Sequence, residues 1–396
     1  MYLSKLIFWV SAAIIFYSYI GYAFLLWFYT KIIGNRAKNT QVNEHFEFEP
    51  PITLIVATYN EEDIIECKIE NCFSLDYPAD KLKIIFVADG STDGTTAKIK
   101  KHPSIELLYK EERQGKVAAI NRAMAVIKTD YVIFCDANTF LNEKAIKEIV
   151  KHYKDEKIGA VAGEKKVVDS SEKINTAGAG EGLYWKYESF LKKIDSDFFT
   201  VVGAAGELFS IRTKLYEPVA ANILLDDFII SMNICKKGYK VVYEPKAYAQ
   251  EAPSFTMKDE QKRKIRISAG GFQSVILLKE LLNVFKYGKL SFLYISHRVL
   301  RWVLCPLLLP AIFITNLYII TTGNSYLYLL LFILQIIFYA LAFLGWVFST
   351  KNLKVNIFYV CYYFVFMNIA MYIGFNRYLA NKQTVLWDKA TRKINN

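Results

Sequence analysis

The chain has 396 residues, a net charge of +11 and a mean hydropathy of +0.19, long enough for one sizeable soluble domain plus membrane segments. Its six cysteines form no C-x-x-C pair and its four histidines are scattered, which argues against a disulfide scaffold or a zinc site. The excess of positive charge does not point to nucleic acid, because the most conspicuous basic cluster lies beside apolar segments, where anionic lipid accounts for it.

Between Lys5 and Lys31 there are 25 uncharged residues, enough for a spanning helix. A cleaved signal peptide would end in small residues, whereas Trp27-Phe28-Tyr29 precede Lys31. Residues 1–33 are therefore expected to anchor the chain, and residues 34–51, ending in Pro50-Pro51, to form a linker. Alternating strand and helix patterns follow. Ile52 to Ala57, Lys83 to Ala88, Ile105 to Leu108 and Tyr131 to Cys135 read as buried strands. Glu61 to Leu75, a stretch from Asp93, and Gly115 to Ile127 read as helices. This alternation predicts an α/β domain over residues 52–256 with a mostly parallel sheet. After about residue 160 the pattern loosens: a strand over Gly163–Asp169, a helix over Glu181–Lys193, glycine-punctuated extended chain over Val201–Arg212 and a helix over Asp227–Lys237.

Met257 to Arg301 carries ten Lys or Arg against three acids, interleaved with apolar residues. It reads as amphipathic helices on a membrane face. From Trp302 to Thr350 no residue is charged, enough for two spans with a turn at Thr321-Thr322-Gly323-Asn324. Residues 302–378 are thus expected to hold the C-terminal membrane helices and 379–396 a basic tail. Lys31, Arg36, Lys38, Lys286, Lys289, Arg298 and Arg301 flank the spans on the domain's side, which places the domain in the cytoplasm. Three crossings after the domain would put Arg377, Lys382, Lys389, Arg392 and Lys393 outside, so Val355–Asn376 is expected to lie along the interface or re-enter.

The polar residues that end the strands carry the chemistry. Thr58-Tyr59-Asn60-Glu61 ends the first strand and either caps a helix or meets a ligand at its N-terminus. Asp89-Gly90-Ser91-Thr92-Asp93-Gly94 is a plain Asp-Gly turn or part of a nucleotide crevice. Gln114-Gly115-Lys116 lacks phosphate-loop spacing, which argues against an ATPase, although Lys116 can neutralise a phosphate. Asp136 and Asn138 can both reach a hard cation such as Mg²⁺ or Mn²⁺, the alternative being an Asx turn. Asp226 and Asp227 favour a helix N-terminus, and one of them can serve as general base.

In order along the chain, Ala57-Thr58-Tyr59-Asn60-Glu61, Asp89-Gly90-Ser91-Thr92-Asp93-Gly94-Thr95, Gly115-Lys116 with Asn121, Asp136-Ala137-Asn138, Gly203-Ala204-Ala205-Gly206 and Asp226-Asp227 resemble the membrane-integrated family 2 glycosyltransferases, the group of cellulose, chitin and hyaluronan synthases. The resemblance implies a GT-A domain and a hexosyl- or N-acetylhexosaminyl-transferase. Its donor would be a nucleotide-sugar, usually a UDP-sugar, and its acceptor a carbohydrate or glycolipid. Thr58, Asn60, Glu61 and Asp89 would hold the nucleotide, Lys116 would sit near the donor, and Asp136 would be the main metal ligand. Asp227 would be the base of an inverting transfer. Glu181-Gly182-Leu183-Tyr184-Trp185 also resembles a family segment, in which Trp185 either stacks on a sugar or is a buried structural residue.

Two positions depart from the pattern. Asn138 is neutral where a second metal ligand is expected. Where processive members carry Q-x-x-R-W, this chain reads Gln261-Lys262-Arg263-Lys264-Ile265-Arg266, which keeps Arg263 and Arg266 for a diphosphate but lacks the tryptophan. Polymer extension and single-sugar transfer to a lipid carrier therefore both stay open. A transporter with a nucleotide-sensing domain is disfavoured by the uncharged spans. The ending Trp387-Asp388-Lys389-Ala390-Thr391-Arg392 resembles a cytoplasmic tail of the family.

Overall fold

A computed structural model describes residues 1–32, 48–167, 176–252, 256–350, 356–382, 384 and 386. Most of the expected linker and the Trp387–Arg392 ending lie outside the described residues. The chain divides into two compact units, one holding residues 48–167 and 181–252 and the other residues 1–31 and 256–382.

The first unit is built on eight strands: β1 (Ile52–Thr58), β2 (Leu82–Asp89), β3 (Glu106–Lys110), β4 (Tyr131–Asp136), β5 (Thr139–Leu141), β6 (Ile158–Val167), β7 (Leu208–Arg212) and β8 (Lys240–Glu251). Their order in the sheet is β3-β2-β1-β4-β7-β6-β8-β5. Pairs β1/β2, β1/β4, β2/β3 and β6/β8 are parallel, whereas β4/β7, β6/β7 and β5/β8 are antiparallel. The unbroken apolar runs of β1, β2 and β4 follow from burial on both faces. Ile52, Leu54, Val56, Ile84, Phe86 and Ile133 pack in one core with Ile65, Ile69 and Cys72 of the Ile65–Phe73 helix and Ile146 and Ile149 of the Ala145–Val150 helix. On the other face the Lys116–Met124 helix buries Val117, Ile120 and Ala123, and Phe134 stacks on Phe209 with ring centroids 4.5 Å apart.

This order fixes where a ligand goes. The chain runs from β1 outward through β2 and β3, then returns to the opposite side of β1 as β4. In such sheets the crevice opens at the carboxyl ends of the strands where the winding reverses, here between β1 and β4. Register places the polar ends on one rim: Ala57 pairs with Asp136 and Thr58 with Ala88.

The region that reads as irregular holds more strand than its pattern suggests. Only Leu208–Arg212 of the Val201–Arg212 stretch is strand, but β6 and β8 form a long parallel pair beside it. β5 and β8 escaped the sequence reading. β8 carries Pro245 and four charged residues in twelve, so it lacks the apolar signature of β1.

In the second unit, four helical runs are long and apolar enough to cross a membrane: Tyr2–Ile32, Lys289–Thr322, Tyr326–Thr350 and Phe358–Leu379. The second starts at Lys289 rather than Trp302, because Arg298 and Arg301 are carried inside one continuous helical run. The first and second each contain a π-helical stretch, Tyr17–Gly21 and Ile295–Leu304, joined by a 2.9 Å hydrogen bond between the Tyr17 and Ser296 hydroxyls. Val355–Asn376, expected along the interface, falls largely within one helix, Asn356–Leu379.

Candidate active site

Asp89 closes β2 and is only 3% exposed. Its Oδ2 accepts the backbone N–H groups of Gln114 (3.0 Å) and Gly115 (2.6 Å), and Arg122 lies 3.7 Å from Oδ1. Asp89 thereby fixes the turn that aims Lys116 at the rim. Gly115 takes φ +96° there, a left-handed value open to glycine at no steric cost.

The β1 end and the loop after β2 are laced together. Thr58 Oγ1 donates to the Val87 carbonyl at 3.3 Å. Asn60, at φ +52°, donates its backbone N–H to Ser91 Oγ (3.1 Å) and accepts from the Thr92 N–H (2.8 Å). Glu61 N–H donates to Thr95 Oγ1 at 2.8 Å, and Glu62 Oε2 accepts from the Gly94 N–H at 2.9 Å. Thr58, Asn60 and Glu61 thus belong to one connected wall with Asp89. Ser91, Thr92 and Thr95, marked only by their place in a motif, share it, and so does Glu62, which no motif marked.

Across the rim, Lys116 Nζ lies 2.5 Å from Asp136 Oδ1. Burial works against its ammonium, but Asp136, Asp226 and Asp227 outweigh burial and hold it protonated, above the ordinary lysine value. Asp226 and Asp227 open the Asp226–Lys236 helix. Asp226 is buried, and its Oδ2 has no hydrogen-bond partner. Burial and the neighbouring Asp226 push the Asp227 carboxyl up to about 7; Glu207 adds to the rise, while Lys116 and the Phe228 N–H oppose it. A carboxylate poised there is matched to general-base work near neutral pH.

The Gly203–Gly206 segment brings backbone against this cluster. A Cβ on Gly206 would stand 3.0 Å from Lys116 Nζ and 3.3 Å from Asp227 Oδ2. Gly203 takes φ +88°, and a Cβ there would meet the Phe228 ring at 2.1 Å. Gly203→Ala is therefore expected to cost at least about 2 kcal/mol, from strained backbone plus overpacking, read as a lower thermal unfolding midpoint.

The turn bearing Asp136 and Asn138 is pinned from beneath by Lys68, which is 0% exposed. Its ammonium donates to the Thr139 carbonyl (2.6 Å) and to Cys135 Sγ (3.0 Å), and Thr139 Oγ1 donates to the Asp136 carbonyl (3.0 Å). Lys68 went unnoticed in the sequence because a lysine on an exposed-looking helix carries no sign of burial. Asn138 turns its amide toward Glu251 at 3.5 Å, and Lys165 bridges Glu251 and Glu207, the latter at 2.7 Å. Among the described residues no three His, Cys, Asp or Glu side chains are grouped to enclose a metal. The donor set suits a hard cation that takes one carboxylate, from Asp136, and fills its shell with phosphate oxygens and water.

Residues 53–219 match the family model described as glycosyl transferase family 2. They form a family 2 glycosyltransferase domain. Among curated proteins, the chain is similar to poly-beta-1,6-N-acetyl-D-glucosamine synthase of Staphylococcus aureus (strain MSSA476), 28% identical over 249 residues, covering 59% of this chain and 57% of that protein. The same-named protein of Staphylococcus epidermidis is 26% identical over 260 residues, covering 64% and 61%. The match thus spans less than two thirds of the relatives' own length. Among solved structures, the fold is shared with the mannosyltransferase PcManGT from Pyrobaculum calidifontis in complex with GDP-Man and Mn2+: TM-score 0.71, 21% identity, covering 96% of this chain and 100% of that one. The fold is GT-A.

Lys116 and Asp136 of the glycosyltransferase domain converge with Asp226 and Asp227, which follow its matched residues, and Gly206 and Glu207 lie beside them. Asn121 acts at a distance, holding the segment that leads to the two aspartates: its amide donates to the Val219 carbonyl (2.8 Å) and accepts from the Tyr216 hydroxyl (2.5 Å). The Trp185 ring has Lys165 at 4.9 Å and Lys192 at 5.4 Å. Arg263 and Arg266 belong to the other compact unit, where Arg263 Nε pairs with Glu260 at 3.1 Å.

Proposed function

We propose that this domain moves a sugar from a nucleotide-sugar, a UDP-sugar by preference, to a carbohydrate or glycolipid acceptor at the cytoplasmic face of a membrane. The observation that carries this reading is the placement of Asp227, with its near-neutral carboxyl, beside the Lys116–Asp136 pair at the winding reversal of the sheet. In an inverting displacement Asp227 takes the proton from the acceptor hydroxyl as that oxygen attacks the anomeric carbon from the face opposite the leaving diphosphate. Lys116, kept cationic by its three carboxylates, faces the departing phosphates. The wall of Thr58, Asn60, Glu61 and Asp89 receives the nucleoside. Asp136 would hold a divalent cation, which when bound would supply charge stabilisation for the leaving group.

The names of the curated relatives support an N-acetylglucosaminyl donor and a polymeric product. Single transfer to a lipid carrier is the second reading, favoured by Ile265 where a processive enzyme's tryptophan is expected. Incubating membranes with labelled UDP-sugars and GDP-mannose and sizing the product separates the two; no release of nucleotide from any donor would overturn both. Asp136→Ala is expected to abolish transfer together with its dependence on added Mn²⁺ or Mg²⁺. Retained, metal-stimulated turnover in that variant would move the metal elsewhere.

A further inference from the structure

We propose that the Met257–Leu277 and Asn356–Leu379 helices lie side by side in the plane of the membrane interface, and that the chain crosses the bilayer three times. Depth within the membrane unit can be read from the hairpin formed by Lys289–Thr322 and Tyr326–Thr350. Trp302 lies 20 residues before the end of the first helix and Gly345 lies 19 after the start of the second, so both sit at one depth, about 30 Å from the turn between them.

The Asn356–Leu379 helix begins at that depth. A Cβ on Gly345 would stand 2.2 Å from the Phe358 carbonyl, and the Phe348 and Phe358 rings are 5.3 Å apart. Sixteen residues later, about 24 Å along the helix, a crossing helix would have reached the far end of the hairpin, near Thr322. Gly374 instead packs against Ser268 and Ala269, a Cβ there standing 2.6 Å from Ser268, and Phe375 meets Phe272 with ring centroids 4.9 Å apart. Gly271, next to Phe272, packs on Trp302, with 3.0 Å from a built Cβ to the indole. The Tyr372 hydroxyl donates to the Pro306 carbonyl, again near Trp302. Both ends of the helix therefore lie at the same depth, which a crossing helix cannot satisfy.

Charge agrees with geometry. The helix packed alongside carries Lys258, Asp259, Glu260, Lys262, Arg263, Lys264 and Arg266 within nine residues. Glu260 is 0% exposed and joins the two helices: it accepts from the Tyr363 hydroxyl (3.2 Å) and from Arg263 Nε (3.1 Å), with Lys264 3.6 Å away. Were Asn356–Leu379 to cross, these ions would enter hydrocarbon, where charged side chains are costly; at headgroup depth the exposed Lys258 and Lys262 meet water while the buried Glu260 stays paired. Between this helix and Lys289, Leu282, Val284 and Phe285 are exposed, Phe285 at 99%, beside Lys279 and Lys286. Apolar tips flanked by lysines suit the boundary between acyl chains and anionic headgroups. The apolar composition of Phe358–Leu379 fits lying against acyl chains as well as crossing them. With three crossings, Arg377 and Lys382 fall on the same side as Lys31, Lys286 and Lys289, as the basic-side tendency requires.

The full chain carrying one epitope before Met1 and another after Asn396 tests the crossing number by protease digestion of intact spheroplasts and of inverted vesicles. The expected result is loss of the carboxyl-terminal epitope only in inverted vesicles and of the amino-terminal one only in spheroplasts. Both epitopes on one face would overturn the proposal. A second measurement needs no tag: Val360→Trp and Ile369→Trp, each read as an increment over the parent chain, with lipids brominated at defined depths. These positions are half-exposed and would differ by about 13 Å in depth in a crossing helix. Equal, shallow quenching is expected, and a depth gradient between them would refute an in-plane helix.

Discussion

Asp227→Asn is expected to lower sugar transfer roughly 10²–10⁴-fold, the usual contribution of a general base, while nucleotide binding stays within a factor of a few. The wild-type pH profile carries the same signature. Asp227 must be ionised to accept the acceptor's proton, so kcat/KM should rise with pH through about 7, and that limb should vanish in the variant. Stability moves in the opposite sense. The folded carboxyl, raised from 3.8 to about 7, binds its proton more tightly than the unfolded chain does. The stability it contributes is present below pH 3.8 and is lost as pH rises through about 7. Asp227→Asn escapes that loss, so its unfolding midpoint should overtake that of the wild type above neutral pH. A dead variant that is also less stable at pH 8 would mean that Asp227 holds the fold rather than the proton. Near wild-type turnover would remove it from the chemistry.

Lys116→Met should be the other severe change, lowering transfer roughly 10²–10³-fold as expected for loss of a preorganised electrostatic group. Its ammonium is the cation among Asp136, Asp226 and Asp227, and it opposes the rise in the Asp227 carboxyl. Without it the kcat/KM limb near pH 7 should shift upward, so that part of the activity returns in alkaline buffer. A purely structural role for Lys116 predicts lost activity with the limb unmoved. A profile measured from pH 6 to 9 on the purified variant distinguishes the two.

These two residues show where sequence reading succeeds and stops. β1, β2 and β4 were legible because strands buried on both faces must be continuously apolar, and their polar ends then mark the rim. Asp89 and Asp136 could be placed on that rim from their own neighbours. That Lys116 meets Asp136 could not be read, since the contact depends on a turn that Asp89 pins with two hydrogen bonds. Its meeting with Asp226 and Asp227, 110 residues downstream, depends on how a later helix returns to the sheet. Lys68 stayed hidden for a related reason: a buried lysine satisfied by a carbonyl and a thiol looks, in sequence, like any solvated one. Pairing of β8 with β6 was illegible because Lys240–Glu251 alternates in burial and contains Pro245.

The in-register ends of β1, β2 and β4 also constrain how such a catalyst can diversify. Thr58, Asp89 and Asp136 are carried on strands locked residue to residue over their whole length. Adding or deleting one residue within any of them would turn alternate side chains inside out and move a candidate site residue off the rim. The turns that follow these strands are free of that ladder. Change in substrate preference is therefore expected in exposed turns between strands rather than within the strands, where length and side chains can drift while the candidate carboxylates hold their places.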